Sequence, residues 1–130
     1  MSKPRVLVVD DDENILSAFS DFLKKERCEM IAASSMDEAM GMLERRRVDV
    51  LIADVRLGAQ SGITLTMEVK RRHPGIPVIL ITGYPDVVSE NDARSSGADY
   101  FFLKPLNIDK LREAVSICLT HRTAEPKMPV

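Results

Sequence analysis

Five short apolar runs alternate with longer polar stretches along this chain, and the alternation restricts the folds open to it. Four of the runs are rich in Val, Ile, Leu or aromatic residues, as is typical of buried strands, and the second run predicts a weaker strand. The runs are Arg5 to Val9, Cys28 to Ala33, Val48 to Ala53, Ile76 to Ile81 and Asp99 to Leu103. Because strands separated by helices pair in parallel through right-handed crossovers, we predict an α/β fold with a doubly wound five-stranded parallel sheet.

The polar stretches between the runs carry helix signals. Apolar residues recur at three-and-four spacing from Asn14 to Arg27, which predicts the first helix. Ser35 and Glu38 match a capping box at the start of the second helix. Its predicted inward face is Met36, Ala39, Met40 and Leu43. The remaining helices are predicted from Gly62 to His73, from Pro85 or Asp86 to Ser96, and from an N-cap at Asn107 to about His121.

The length of 130 residues suits one domain, which we assign to residues 1–122. Residues 123–130 contain two prolines and little to bury, so we interpret them as a tail or the start of a linker. No apolar run approaches the roughly 20 residues that cross a bilayer. We therefore predict a cytoplasmic domain without membrane contact.

Charge and cysteine content exclude further classes of protein. A net charge of -2 argues against direct nucleic-acid contact by this domain. The basic clusters at 24–27, 44–47 and 70–73 fall at predicted helix C-termini, where cations complement the helix dipole. Cys28 and Cys118 lack a metal-binding spacing, so we expect two buried thiols.

Polar residues with complementary chemistry follow four of the five runs. Asp10 and Asp11 follow the first, Asp54 the third, Thr82 the fourth and Lys104 the fifth. Since the carboxyl ends of parallel strands meet at one edge, where such sheets bind ligands, we expect these side chains to converge.

Carboxylates held close together need a cation, and hard oxygen ligands favour Mg²⁺. Phosphoryl transfer to a carboxylate would also need donors around the phosphoryl oxygens, which Lys104 and Thr82 could supply. Because Asp54 stands apart from the acid pair, it is the predicted phosphoacceptor.

Each of these residues also has a structural interpretation. The acids at 10–13 could form only the first turn of a helix, and Asp54 could simply start a turn. Thr82 could form a turn through its hydroxyl, and Lys104 could be a surface lysine. All of these interpretations would have to hold together at one sheet edge, so the functional interpretation is favoured.

The chain resembles the receiver domains of two-component response regulators from about Arg5 to Arg122. The resemblance lies in VLVVDDDENIL, DVLIADVRLGAQSG, VILITGY and GADYFFLKPL, which occur in the family's order and spacing. It implies a flavodoxin-like sheet of strand order 2-1-3-4-5. It also implies a domain that is not a conventional enzyme but assists phosphorylation and dephosphorylation of its own Asp54, with a histidine kinase or phosphotransfer protein as donor.

The resemblance further assigns individual roles. Asp11, Asp54 and the backbone carbonyl of Arg56 would bind Mg²⁺ directly, and Asp10 would act mainly through water. Thr82 and Lys104 would bind the phosphoryl group, and Thr82 with Phe101 would form the switch. The output surface would be the fourth helix, fifth strand and fifth helix, from Asp86 to His121, through which a homodimer is plausible.

Two departures from the family pattern affect the site. After Leu57 the family usually has proline, whereas Gly58 to Ser61 follow here, which predicts a less rigid loop. Arg56 and Tyr84 lie two residues past Asp54 and Thr82, and their bulk predicts slow hydrolysis of an aspartyl phosphate.

Two alternative functions stay open at this point. A receiver-like interaction module could work without phosphorylation. A phosphatase with an aspartyl-phosphate intermediate would share the nucleophile, the metal and the lysine, but it normally needs a second acid and a substrate cap, which the sequence lacks.

Overall fold

The computed structural model describes residues 3–83 and 90–124, with side chains as far as residue 120. Its strands are β1 (Arg5–Val9), β2 (Glu29–Ala33), β3 (Val50–Asp54), β4 (Arg56–Leu57), β5 (Gln60–Ser61), β6 (Val78–Thr82) and β7 (Tyr100–Leu103). Its helices are α1 (Glu13–Lys25), α2 (Met36–Arg45), α3 (Gly62–Arg72), α4 (Glu90–Ser95) and α5 (Ile108–Ala124).

Five strands form one parallel sheet in the order β2-β1-β3-β6-β7. This confirms the doubly wound sheet and the order 2-1-3-4-5, because β6 and β7 are the predicted fourth and fifth strands. Asp54 at the end of β3 lies opposite Ile81 on β6, and Thr82 lies opposite Leu103 on β7. The strands that carry the candidate site residues are therefore direct neighbours.

Each strand divides its side chains between two apolar layers, as the two-residue period of a strand requires. Leu7 and Val9 of β1 pack in the layer that holds buried residues of α2, α3 and α4. Val6 and Val8 pack in the layer under α1 and α5. Every residue of β3 and β6 is buried, which explains why their sequences are continuous apolar runs rather than alternating ones.

The helix ends follow from local sequence. α1 ends at Lys25, two residues before the predicted end, because Arg27 adopts φ 60°. The Arg27 and Cys28 amides donate to the carbonyls of Lys24 and Leu23, a Schellman ending built without glycine. Asn107 caps α5 as predicted, since its Oδ1 accepts from the Lys110 amide at 3.0 Å.

The second helix begins with a modified capping box. Ser35 Oγ accepts from the Glu38 amide, as predicted, but the Glu38 carboxylate accepts from Ser34 instead of Ser35. The predicted inward face is confirmed: Ala39 and Leu43 are buried, and Met36 and Met40 are partly buried against the same layer.

Several boundaries differ from the sequence prediction. β3 and β6 begin two residues later than expected and include Asp54 and Thr82 as their last residues. α5 continues to Ala124, so the first two residues of the predicted tail are helical. The predicted helix start at Pro85 or Asp86 and residues 125–130 lie outside the described residues.

A small antiparallel hairpin follows β3 and was not predicted. In it Arg56 pairs with Ser61 and Leu57 pairs with Gln60, and Gly58 turns the chain with φ 62°. This hairpin occupies the loop that the sequence predicted to be less rigid, immediately before α3.

Candidate functional site

The carboxyl edge of the sheet brings the predicted residues together. Asp10 follows β1, Asp54 ends β3, Thr82 ends β6 and Lys104 follows β7. Asp10 is 1% exposed, Asp54 6% and Thr82 0%, so three polar side chains are placed in the protein interior next to this edge. Burial of this kind is unfavourable unless the groups have partners.

Lys104 is the cation at the centre of the group. Its Nζ lies 2.8 Å from Asp54 Oδ2 and 3.7 Å from Asp10 Oδ2. The Lys104 amide donates to the Thr82 carbonyl at 2.8 Å, which extends the β6–β7 pairing to the lysine. One ammonium group therefore neutralises two acids that come from different strands.

Both oxygens of the Asp54 carboxylate have donors. Oδ1 accepts from the Arg56 amide at 3.0 Å and Oδ2 accepts from Lys104. The next amide, that of Val55, donates to the Ile81 carbonyl at 2.9 Å, so the backbone on either side of Asp54 is fixed by hydrogen bonds. The acid is held at a defined position with its carboxylate directed toward the lysine.

Asp10 has an unusual environment for a carboxylate. Burial raises its pKa to about 6; the Asp12 amide, which donates to Oδ1 at 2.9 Å, opposes the shift, and the Asp54 charge adds to it. Among the described residues Oδ2 has no hydrogen-bond partner. Burial thus contributes more to the raised pKa of Asp10 than the charge of Asp54 does.

The pKa of Lys104 is raised above its ordinary value. Burial alone would lower it, but the hydrogen bond and charge of Asp54, with the charge of Asp10, outweigh that effect. The lysine is therefore held as an ammonium ion at neutral pH.

The three consecutive aspartates have different local roles. Asp10 is buried in the site, whereas Asp12 is the N-cap of α1 and accepts from the Asn14 amide. Asp11 is exposed, and its Oδ2 accepts from the Gly58 amide at 3.1 Å. The structural interpretation of the acidic run is thus correct for Asp12, while Asp10 belongs to the site.

The donor set suits a hard cation. A buried carboxylate oxygen of Asp10 without a hydrogen bond, next to Asp54, is a site that a divalent ion with oxygen ligands would satisfy. Within residues 3–83 and 90–124, no three acidic, His or Cys side chains already converge as a metal cluster. Asp11 in particular bonds to the β4–β5 turn.

The remaining predicted residues border this centre. The Arg56 side chain is exposed, and its amide donates to Asp54 Oδ1. Phe101 lies opposite Leu80 of β6 and packs half-buried on the layer under α4, beside a cavity that Ala93 and Arg94 of α4 also line. Tyr84 lies outside the described residues.

Sequence reasoning missed two glycine contacts. The Gly58 amide binds Asp11, and Gly62 packs directly on the backbone of Asp54. Gly62 was interpreted only as a helix start; a glycine at the first turn of a helix, close after a reactive acid, was the available signal.

Comparison with known proteins yields one family. Residues 6–116 match the family model described as the response regulator receiver domain. The response regulator protein PilR of Pseudomonas aeruginosa is 33% identical over 125 residues, which is 96% of this chain and 28% of PilR. The chain thus spans about a quarter of the length of that relative.

Solved structures agree with this match. The signal receiver domain of an HD domain-containing protein from Pseudomonas fluorescens superposes with a TM-score of 0.91 at 27% identity, covering 99% of this chain and 96% of that one. The beryllofluoride-activated NtrC4 receiver domain, solved as a dimer, superposes with a TM-score of 0.84 at 29% identity, covering 91% and 98%. Within its described part, the chain has no helix long and apolar enough to cross a membrane.

Proposed function

We propose, because this chain belongs to the response regulator receiver domain family, that Asp54 accepts a phosphoryl group and that Lys104 and Thr82 bind that group. The donor would be a histidine kinase or a phosphotransfer protein. The proposed function is that of a phosphorylation-controlled switch in a two-component system.

The observation that carries the assignment is the contact of Lys104 Nζ with Asp54 Oδ2 at 2.8 Å. Asp54 ends a buried strand, and its carboxylate has a cation on one oxygen and an amide on the other. Within the part of the chain that the structure describes, Asp10 Oδ2 has no hydrogen-bond donor, and Asp11 is exposed and accepts from the Gly58 amide. A nucleophile needs a fixed position and a neighbouring positive charge, and Asp54 has both.

Asp10, Asp11, Asp54 and the Arg56 carbonyl would hold Mg²⁺, which when bound would stabilise negative charge on the phosphoryl oxygens. Lys104 stabilises charge on another side of the same group through its ammonium. Thr82 offers a hydroxyl from the neighbouring strand. The chain's own residues thus orient the acceptor and neutralise charge, and the same residues would assist later hydrolysis of the aspartyl phosphate.

The switch would pass from this edge to α4, β7 and α5. The Lys104 amide donates to the Thr82 carbonyl, and Phe101 lies on β7, three residues before Lys104. A shift of Thr82 toward a phosphoryl group would change the packing of Phe101 against the α4 face, as in a population shift between two states. We infer dimerisation through this surface, consistent with the activated NtrC4 receiver domain, which is a dimer.

Intact mass measurement after incubation with acetyl phosphate and Mg²⁺ tests the assignment. The wild type should gain one phosphoryl group that hydroxylamine removes, and Asp54→Ala should gain none. Asp37→Ala is the matched control, because Asp37 is an exposed acid in the first turn of α2. Absence of a mass gain in the wild type would leave the interaction module without phosphorylation as the better description.

A further inference from the structure

We propose that Gly62 is a positioning residue for Asp54: the absence of a side chain at the start of α3 lets this helix press against the backbone of the phosphoacceptor and fix its place. The inference rests on the proposed function of Asp54. It concerns how the backbone of Asp54 is held in place, a role that Lys104, Thr82 and Asp10 do not fulfil.

The contact is close enough to exclude any side chain. A Cβ at Gly62 would lie 2.2 Å from the Asp54 carbonyl oxygen, 3.0 Å from the Asp54 carbonyl carbon and 3.1 Å from Val55 Cα. All three atoms belong to the backbone, so no rotamer change relieves the overlap. Restoring an ordinary carbon–oxygen contact requires a displacement of roughly 1 Å.

The need for glycine at this position is steric rather than conformational. Gly58 and Gly97 are the described glycines with positive φ, whereas Gly62 lies in the first turn of a helix. Alanine is intrinsically better than glycine in a helix. A substitution that should favour α3 by helix propensity is therefore opposed by the overlap with the backbone of Asp54 and Val55.

Hydrogen bonds hold Gly62 in contact with β3. The Gly62 amide donates to the Val55 carbonyl at 2.7 Å, and the Thr66 hydroxyl donates to the Gly62 carbonyl at 2.8 Å. Ser61 Oγ caps α3 by accepting from the Ile63 amide at 3.0 Å. The Gly62–Val55 bond ties the start of α3 to the residue after β3, and the other two bonds order the first turn of α3 itself, so a new methyl group would displace the Asp54 backbone.

Displacement of the Asp54 backbone would move its carboxylate away from its hydrogen-bond donors. Oδ1 depends on the Arg56 amide and Oδ2 on Lys104, each at about hydrogen-bond length. Misplacement by roughly 1 Å costs about 100-fold in rate where geometry limits the reaction. We expect Gly62→Ala to slow phosphorylation by about 10- to 100-fold.

The experiment compares phosphorylation rates with acetyl phosphate and Mg²⁺ for the full chain and its variants, under conditions in which each is folded by circular dichroism. Gly41→Ala is the matched control, because its Cβ would meet only the flexible Arg45 side chain at 3.5 Å. Val69→Ala is the control for lost stability, since Val69 is buried in α3 away from its first turn. Both controls should react within a few-fold of wild type.

Hydrogen exchange of the Arg56 amide supplies a readout that does not depend on phosphorylation. Exchange should become faster in Gly62→Ala, as the bond to Asp54 Oδ1 is disturbed, and should be unchanged in Gly41→Ala. Ser61→Ala removes the N-cap of α3 and should also make exchange of the Arg56 amide faster, but to a smaller extent. This variant replaces Gly62→Ala in the test if Gly62→Ala does not fold.

Wild-type rate or unchanged Arg56 exchange in Gly62→Ala would overturn the proposal, and so would an equal loss of rate in Val69→Ala. If Gly62→Ala is unfolded, unchanged rate and exchange in Ser61→Ala would overturn it. Failure of the wild type to gain a phosphoryl group would refute the proposed function instead, and the Arg56 exchange would still decide whether Gly62 positions Asp54.

Discussion

Replacing Asp10 with asparagine should make the unphosphorylated, metal-free protein more stable at neutral pH. Asp10 is 1% exposed, and its Oδ2 has no hydrogen-bond partner among the described residues. Folding therefore buries an ionised carboxylate with incomplete compensation. Asparagine keeps the shape, and its Oδ1 can still accept from the Asp12 amide.

The size of the gain follows from the pKa of Asp10. Burial raises that pKa from 3.8 to about 6, roughly two pH units. At about 1.4 kcal/mol per unit this corresponds to about 3 kcal/mol of unfolding free energy lost above pH 6. The attraction of Lys104, whose Nζ lies 3.7 Å from Asp10 Oδ2, is already contained in that net shift, so we expect Asp10→Asn to gain up to about 3 kcal/mol at pH 7.5.

The pH dependence gives the prediction its sign. Since the folded pKa lies above the unfolded value, the group's contribution to stability is fully present below about pH 4 and is lost as pH rises through about 6. The advantage of Asp10→Asn should therefore be near zero at pH 4 and complete at pH 7.5. Urea unfolding followed by far-UV circular dichroism in EDTA measures it, because the chain contains no tryptophan.

Asp11→Asn is the matched control, because Asp11 is the neighbouring acid but is exposed. Its unfolding free energy should stay within about 0.5 kcal/mol of wild type at both pH values. The reasoning is refuted if Asp10→Asn is no more stable than wild type at pH 7.5, or if its gain is the same at pH 4.

Three further measurements test local features of the structure. Burial raises the pKa of the Cys28 thiol and raises that of the Cys118 thiol to about 12. A disulfide reagent at pH 8 should therefore label both cysteines only after the protein unfolds, and rapid labelling of the native protein would contradict their burial. Arg27→Gly should raise the unfolding free energy by about 0.5–1 kcal/mol in urea titrations, because φ 60° suits glycine, and a loss would show that the arginine side chain matters more. Gly58→Ala should lower the unfolding free energy by about 1 kcal/mol, because φ 62° is unfavourable for alanine even though its Cβ would meet nothing within 4 Å. An unchanged urea midpoint would show that the turn adopts another conformation.

The strands and their doubly wound parallel arrangement could be predicted from hydrophobic pattern and strand–helix alternation, whereas the strand order was implied only by the family resemblance. β3 and β6 are continuous apolar runs and are buried throughout, so their identity as buried strands could be predicted. Their ends were misplaced by one residue. Asp54 and Thr82 have polar side chains that suggest a turn, while their backbones still pair with Ile81 and Leu103.

Contacts between residues that are distant in the sequence could not be predicted from local patterns. The β4–β5 pairing brings the Gly58 amide to Asp11, which lies 47 residues earlier in the chain, and no local sequence pattern predicts that hydrogen bond. The contact between Gly62 and Asp54 is of the same kind. Glycine was correctly placed at a helix start, but its proximity to the acid follows from the packing of α3 against the end of β3.

Buried acids in the candidate site lower the predicted stability of the unmodified domain, and one lysine restricts the movement of these acids. Asp10 is buried with an incomplete set of partners, and a single ammonium, Lys104, serves both Asp10 and Asp54. A negative group added at Asp54 would draw Lys104 further toward that residue, because the lysine already lies nearer to it. Since the Lys104 amide is bonded to the Thr82 carbonyl, such a movement acts on the ends of β6 and β7 together. The proposed phosphoacceptor and the strands that precede α4 and α5 are thus connected through one lysine.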